Sequence, residues 1–303
     1  MTPIIQVQDL HKAYGDFKAV QNLSFTVQRG EVYGFLGQNG AGKSTTIRML
    51  LSLIRPNSGR IEIMGKELQT HRSEILRSVG AIIERPDLYK YLTAYENLSL
   101  FARLSGFAAS KNQLMQQLEW VGLQERAHSK VSTFSQGMKQ RLGLAIALIH
   151  NPELVILDEP TNGLDPQGIA DVRKMILQLS REQGKTVLIS SHLLSEIELI
   201  ADRMIIIDRG KKVVEGAVKE LMDPAKMKVM IMLENASIIQ PILKQSNWGQ
   251  YMMSFDEHQF QLELHKDHIP ELTKDLVGMG AAILSIQPRH SLEDYFLSLT
   301  KTA

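Results

Sequence analysis

The 303-residue sequence contains no cysteine. That absence excludes disulfides, thiolate metal sites and a cysteine nucleophile, and it fits a reducing compartment. The chain also lacks a charge excess. Its 34 Lys and Arg stand against 33 Asp and Glu, so nothing at whole-chain level asks for nucleic acid or an anionic membrane surface. Long apolar runs are missing too. The longest, such as residues 142–149, fall far short of the ~18 residues that a membrane span needs. Residues 1–6 show no basic start leading into an apolar stretch, so no signal peptide is expected. No internal repeat or low-complexity segment stands out. What remains is ordinary: 44% hydrophobic and 22% charged residues, enough for a packed core and unlike a disordered chain. The length suggests two domains of roughly 150 residues each. A soluble intracellular chain is the expectation from composition.

Through about residue 215, compact apolar runs alternate with helix-like stretches. Residues 4–7, 23–27, 32–36, 61–64, 79–83, 154–157, 187–190 and 204–207 read as strands, with a turn at Asn57-Ser58-Gly59. Residues 43–54 and 167–182 read as helices. Apolar strands interleaved with helices predict a mostly parallel, buried sheet. Residues 93–149 break the alternation with helices alone, and Thr93-Ala94-Tyr95-Glu96 and Ser110-Lys111-Asn112-Gln113 are capping-box patterns. A helical subdomain at about 88–150 is therefore expected inside an α/β domain of residues 1–222. Asp223-Pro224 marks the expected boundary of a second domain, residues 223–303. There, strand-like 228–233, helix-like 238–245, strand-like 251–255 and 259–264, helix-like 268–279 and strand-like 281–286 follow one another. That order is a ferredoxin-like split βαβ unit, α+β in class. Residues 291–300 read as a closing helix.

Gly37-Gln38-Asn39-Gly40-Ala41-Gly42-Lys43-Ser44 matches a phosphate-binding loop between a strand and a helix. Its glycines let backbone N–H groups approach phosphate oxygens at a helix N-terminus. Lys43 should reach the β/γ-phosphates, and the Ser44 hydroxyl should hold Mg²⁺. Leu154-Val155-Ile156-Leu157-Asp158-Glu159 is an apolar strand ending in two carboxylates. Beside the loop, Asp158 would hold the Mg²⁺ shell and Glu159 would polarise a water for attack on a γ-phosphate. Phe134-Ser135-Gln136-Gly137-Met138-Lys139-Gln140-Arg141 opens an apolar helix. Ser135 reads either as a plain N-cap or, with the Gly137 N–H, as a phosphate contact. His258, His265 and His268 show no metal-ligand spacing on one element. Met227, Met230 and Met232 read as core packing.

Taken in order, these motifs resemble the nucleotide-binding subunit of ABC transporters over about residues 4–222. The resemblance makes Tyr14 the aromatic residue on which adenine stacks, residues 37–45 through Thr45 the Walker A loop, and residues 154–159 Walker B. Ser135, Gln136, Gly137, Met138, Lys139 and Gln140 become the signature, here Ser-Gln-Gly-Met rather than the commoner Ser-Gly-Gly-Gln. Gly163, Leu164 and Asp165 fit the D-loop, and Ser190-Ser191-His192 ends in the switch histidine. In the family two subunits close head-to-tail, so the signature residues would face ATP bound on a partner copy. One position departs from the pattern. The family's Q-loop normally ends a strand with Gln, and here Glu84 follows residues 79–83; a carboxylate can still reach Mg²⁺ or the attacking water, but it adds negative charge and loses a donor.

Glu84, with Arg85-Pro86 and Leu92-Thr93-Ala94-Tyr95-Glu96-Asn97, resembles the bacitracin-resistance and lantibiotic-immunity branch of ABC exporters, as does the tail Ser291-Leu292-Glu293-Asp294-Tyr295-Phe296. The resemblance implies an ATPase using ATP and Mg²⁺, with Glu159, His192 and Lys43 catalytic. It further implies separate membrane permease subunits, a place on the cytoplasmic face of the membrane, and export of a peptide antibiotic or similar amphiphile. The alternatives are a soluble ABC ATPase acting on ribosomes or DNA, or an exporter of an unrelated substrate. Ribosome-acting relatives usually carry two cassettes, whereas one phosphate loop is present; DNA-repair relatives insert long coiled coils, for which the interval from Lys43 to Asp158 is too short. The second domain reads either as a brace or as an effector-binding gate.

Overall fold

A computed structural model of the chain describes residues 3–222, 227–256 and 258–290. It forms two compact units, residues 1–217 and 218–303. Asp223-Pro224, the expected helix at 291–300 and the tail motif at 291–296 lie outside the described residues.

The first unit opens with the hairpin β1 (Ile5–Tyr14) and β2 (Phe17–Val27), then β3 (Val32–Leu36) and α1 (Lys43–Leu50). Next come β4 (Ser58–Ile63), β5 (Lys66–Glu67), α2 (Arg72–Leu76) and β6 (Val79–Ile82). Three α-helices follow without a strand: α3 (Ala94–Leu104), α4 (Lys111–Trp120) and α5 (Gln136–Leu148). The alternation then resumes with β7 (Leu154–Asp158), α6 (Pro166–Arg181), β8 (Thr186–Ser191), α7 (Leu194–Glu198), β9 (Arg203–Asp208) and β10 (Lys211–Ala217).

A six-stranded sheet has the order β10-β9-β3-β8-β7-β6. All its pairings are parallel except that of β10 with β9. Every residue of β3, β7 and β8 is buried, which is why these segments read as unbroken apolar runs. Both expected capping boxes are present, at Thr93 with Glu96 and at Ser110 with Gln113.

Three expectations need correction. The strands β2-β1-β4-β5 form a separate antiparallel sheet. Register shifts along β1 interrupt its two-residue alternation, so only its first residues read as strand. Ser58 and Gly59 are strand residues, not a turn. Gly59 has φ +95° at the crossing of β1, where a Cβ would lie 2.5 Å from the Asp9 carbonyl oxygen. Helix α1 stops at Leu50 rather than residue 54, and Ser52 turns left-handed at φ +55°. Strand β10 carries no compact apolar run because its residues are exposed or half-buried.

A buried polar cluster closes the sheet beside β10. The Tyr33 hydroxyl donates to Glu215 at 2.8 Å, and Arg203 donates to the Thr26 carbonyl at 3.0 Å and pairs with Glu31 and Glu215. Burial pushes the Tyr33 phenol far above its ordinary value.

The second unit contains α8 (Val218–Leu221), β11 (Met227–Leu233), α9 (Ala236–Gln245), β12 (Met252–Asp256), β13 (Gln259–Leu264), α10 (Ile269–Gly278) and β14 (Ile283–His290). Its sheet is wholly antiparallel in the order β12-β13-β11-β14, the split βαβ arrangement. Alternate residues Val229, Ile231 and Leu233 join Phe260 and Leu262 in a core with Leu243 and Leu276 from the helices. The Trp248 indole donates to Asp275 at 2.8 Å.

Phe260 is fully buried, and Phe260→Ala should cost about 3–5 kcal/mol. In a Trp120→Phe background, Trp248 fluorescence should report a urea midpoint well below that of the parent. An unchanged midpoint would remove Phe260 from the load of this core.

Candidate functional site

Three parallel strands end at one level. Leu36 of β3 lies opposite Ser191 of β8, and Asp158 of β7 lies opposite Ser190. Residue 37, Glu159 and His192 follow those ends, so the sheet brings three distant stretches of sequence together.

The loop after β3 is pressed onto its surroundings. A Cβ at Gly37 would lie 2.6 Å from the Ile207 carbonyl oxygen, and one at Gly42, where φ is +106°, would lie 2.5 Å from that of Ala19. Only glycine fits either position. Lys43 is buried; its ammonium donates to the Gly37 carbonyl at 2.7 Å and the Gln38 carbonyl at 3.3 Å. It also stands 3.1 Å from Glu159 Oε1, a charge contact without hydrogen-bond geometry.

Glu159 adopts φ +49°, a strained conformation for a non-glycine residue. Its backbone N–H donates to Ser190 Oγ at 2.9 Å, and that hydroxyl donates to Asp158 Oδ1 at 2.5 Å. Its Oε2 is 2.7 Å from His192 Nδ1. The Glu159 carboxylate therefore sits between an ammonium and an imidazole. Such a group can accept a proton from a water placed beside it, with the imidazole orienting it.

Asp158 is fully buried, and its Oδ2 has no hydrogen-bond partner. Burial raises its carboxyl above the ordinary value, against hydrogen bonds from Ser190 and Ser44. It lines a cavity of about 410 Å³ together with Ser44, Glu84, Glu159 and Asn162. An orphaned buried carboxylate oxygen, a hydroxyl and a second carboxylate on one cavity are hard oxygen donors, and they fit a divalent cation such as Mg²⁺. Glu84 has φ +58°, and its carboxylate pairs with Arg48 at 2.6 Å. Arg48 lies one helical turn beyond Ser44, on the same face of α1.

Tyr14 ends β1, half-exposed, with the Lys12 ammonium 5.2 Å from its ring centroid. Phe17 pairs with it across the hairpin turn and is more exposed still. Ser135 caps α5 by accepting the Met138 N–H at 3.2 Å, so the plain cap is present. A Cβ at Gly137 would meet nothing nearer than Ser135 Oγ at 4.0 Å. Among the described residues, no hydrogen bond or ion pair joins 135–140 to 37–45. Gly163 has φ +76°, Leu164 donates its N–H to the Thr161 carbonyl, and Asp165 caps α6 through the Gly168 N–H at 2.9 Å.

Three contributions carry no motif in the sequence. Ser190 reads only as the residue two before His192. Arg48 has just its four-residue spacing from Ser44 as a signal. The buried Glu196 accepts from Thr161 Oγ1 at 2.5 Å, tying the turn after Glu159 to α7 after His192.

A family model described as ABC transporter matches residues 20–162. The chain is 44% identical to the bacitracin transport ATP-binding protein BcrA of Bacillus licheniformis, across 99% of this chain and 98% of that protein. It belongs to the ABC transporter family. This ABC subunit is also 43% identical to the lantibiotic transport ATP-binding protein SrtF of Streptococcus pyogenes, over 70% of the chain and 90% of that protein. Among solved structures it resembles the dimeric post-hydrolysis state of the ATP-binding cassette MJ0796 bound to ADP and Pi. That match has a TM-score of 0.64 at 25% identity, covering 71% of this chain and 98% of that one. As an ABC ATP-binding subunit it binds nucleotide and hydrolyses ATP to drive transport.

Because the folded-state pKa of Asp158 is raised, the folded chain holds more protons than the unfolded chain between the ordinary and the raised value. Stability therefore falls as pH rises through that window, and the full penalty applies above it. Without Mg²⁺ and nucleotide, Asp158→Asn should melt above wild type at such pH, by about 2–4 °C. The gap should narrow toward the ordinary carboxylate range. A variant melting lower at every pH would contradict a burial penalty at Asp158.

Proposed function

We propose that this subunit powers export of a peptide antibiotic or a similar amphiphile by driving separate membrane permease subunits. The observation that carries the ATPase chemistry is the Glu159 carboxylate held between Lys43 and His192, beside the orphaned oxygen of Asp158. The export reading is supported by the names of the bacitracin and lantibiotic transport relatives and by Glu84 in place of the usual glutamine. Among the described residues no helix is long and apolar enough to cross a membrane, and passage of the substrate is assigned to the permeases. The subunit works on the cytoplasmic face of the membrane through those permeases.

Two copies close head-to-tail around ATP. The loop from Gly37 through Gln38, Asn39, Gly40, Ala41, Gly42, Lys43, Ser44 and Thr45 holds the phosphates, and Tyr14 stacks on the adenine. Residues 135–140 of each copy face the nucleotide of the other, a role compatible with the open space at Gly137. Lys43 exchanges Glu159 for phosphate oxygens, which releases the carboxylate to act as general base. His192 positions the water and the γ-phosphate. Ser44, Asp158 and Glu84 would hold Mg²⁺, which when bound neutralises phosphate charge. Residues 163–165 lie at the turn leading from Glu159 to the partner copy. The first 222 residues form the motor, and residues 223–303 brace the dimer.

Glu159→Gln should retain ATP binding and lower turnover by about 10²–10⁴-fold. Near-normal turnover in that variant would take the base role from Glu159. Cells lacking the chain should tolerate less bacitracin-type peptide, read as inhibitory concentration; unaltered tolerance across peptide antibiotics would end the export reading while leaving the ATPase chemistry standing.

A further inference from the structure

Lys185 immediately precedes β8 and is only 9% exposed. Its ammonium donates to Asn151 Oδ1 and to the Pro152 carbonyl, each at 2.7 Å. Both acceptors are neutral. Among the described residues no carboxylate makes a contact ion pair with it: Glu153 acts on it only through space and is itself paired with Arg29 at 2.6 Å. An ammonium carries three hydrogens, and two are used. A buried charge without an anion in contact is costly, so the open third hydrogen favours one.

Lys185 lines a cavity of about 290 Å³ with Trp120, Phe107, Gln116 and Gln183, and none of the lining residues is acidic. The side chains of Gln116, Gln183 and Trp120 make no hydrogen bond within the described chain, so further donors remain open on the same walls. Phe107 and Trp120 add flat apolar surface, and Leu148 and Ile149 add aliphatic surface. The volume corresponds to on the order of ten water molecules, room for one aromatic ring bearing a carboxylate. The cavity lies by the starts of β7 and β8, at the opposite ends of those strands from Asp158 and His192. It is therefore separate from the nucleotide site. Burial also holds the Lys185 ammonium below the usual lysine range, against the favourable charge of Glu153.

We propose that this cavity binds a small organic monocarboxylate with a flat apolar body, its carboxylate on Lys185 and its body against Trp120 and Phe107.

The test uses the full chain and para-fluorobenzoate, followed by fluorine NMR line width. Saturable binding at millimolar concentration is expected, weakened at least about tenfold by Lys185→Met. Gln183→Glu, at an exposed lining position, should weaken it similarly by adding negative charge, with basal ATPase unchanged. That variant carries the test alone if Lys185→Met fails to fold. The proposal is overturned if wild type shows no saturable binding, or if Gln183→Glu binds the probe as wild type does. Fluorobenzene binding as tightly as the acid would leave only a greasy slot. Displacement of the probe by inorganic phosphate at lower concentration than by benzoate would leave a bare anion site and overturn the organic class.

Discussion

The structure depends on one constraint, the level ending of three buried parallel strands. Hydrogen bonding of β3 and β7 to β8 sets where each chain leaves the sheet. Polar chemistry begins one residue later, at the glycine loop, at Glu159 and at His192. The strands themselves spend almost every position on packing, with Phe35, Ile156 and Leu188 in one buried cluster. That packing offsets what the site costs: an uncompensated oxygen on Asp158 and left-handed backbone at Glu159 and Glu84. The costs concentrate at the strand ends beside the nucleotide loop.

Charge in the first unit is arranged the same way. The chain is nearly neutral as a whole, yet Glu159 touches both Lys43 and His192, and Asp158 feels the charges of Glu159 and Lys43. Neutral side chains tie this cluster to the surrounding backbone and turns. Ser190 joins Asp158 to the Glu159 backbone, and Thr161 joins the following turn to Glu196. Removing a charged member leaves its neighbours unpaired, whereas removing a link alters geometry.

Much of this was legible in the sequence, for physical reasons that differ by element. Buried parallel strands announce themselves because both faces need apolar residues, as residues 32–36 show. Capping boxes at Thr93 and Ser110 are local chemistry and appear as written. The second unit was readable because its strands alternate and its helices are amphipathic. Edge strands such as β10 were not, since half-exposed residues leave no apolar signature. The hairpin β1–β2 was only partly readable, because register shifts break its period. Arg48 and Glu196 act through partners 36 and 35 residues away, and no local pattern marks such pairs.

By itself the sequence determined which chemical groups exist and where each stands relative to its own strand or helix: glycines before α1, two carboxylates after β7, a histidine after β8. Those relations are local, set by backbone conformation within a few residues. Only the tertiary structure decided that Glu159 would meet His192 at 2.7 Å and Lys43 at 3.1 Å. It likewise decided that Glu84 would rest on Arg48, and that Lys185 would be buried on two neutral acceptors at the far end of the same strands. These contacts follow from sheet order and register, which arise from hydrogen bonds and packing between segments far apart in the chain.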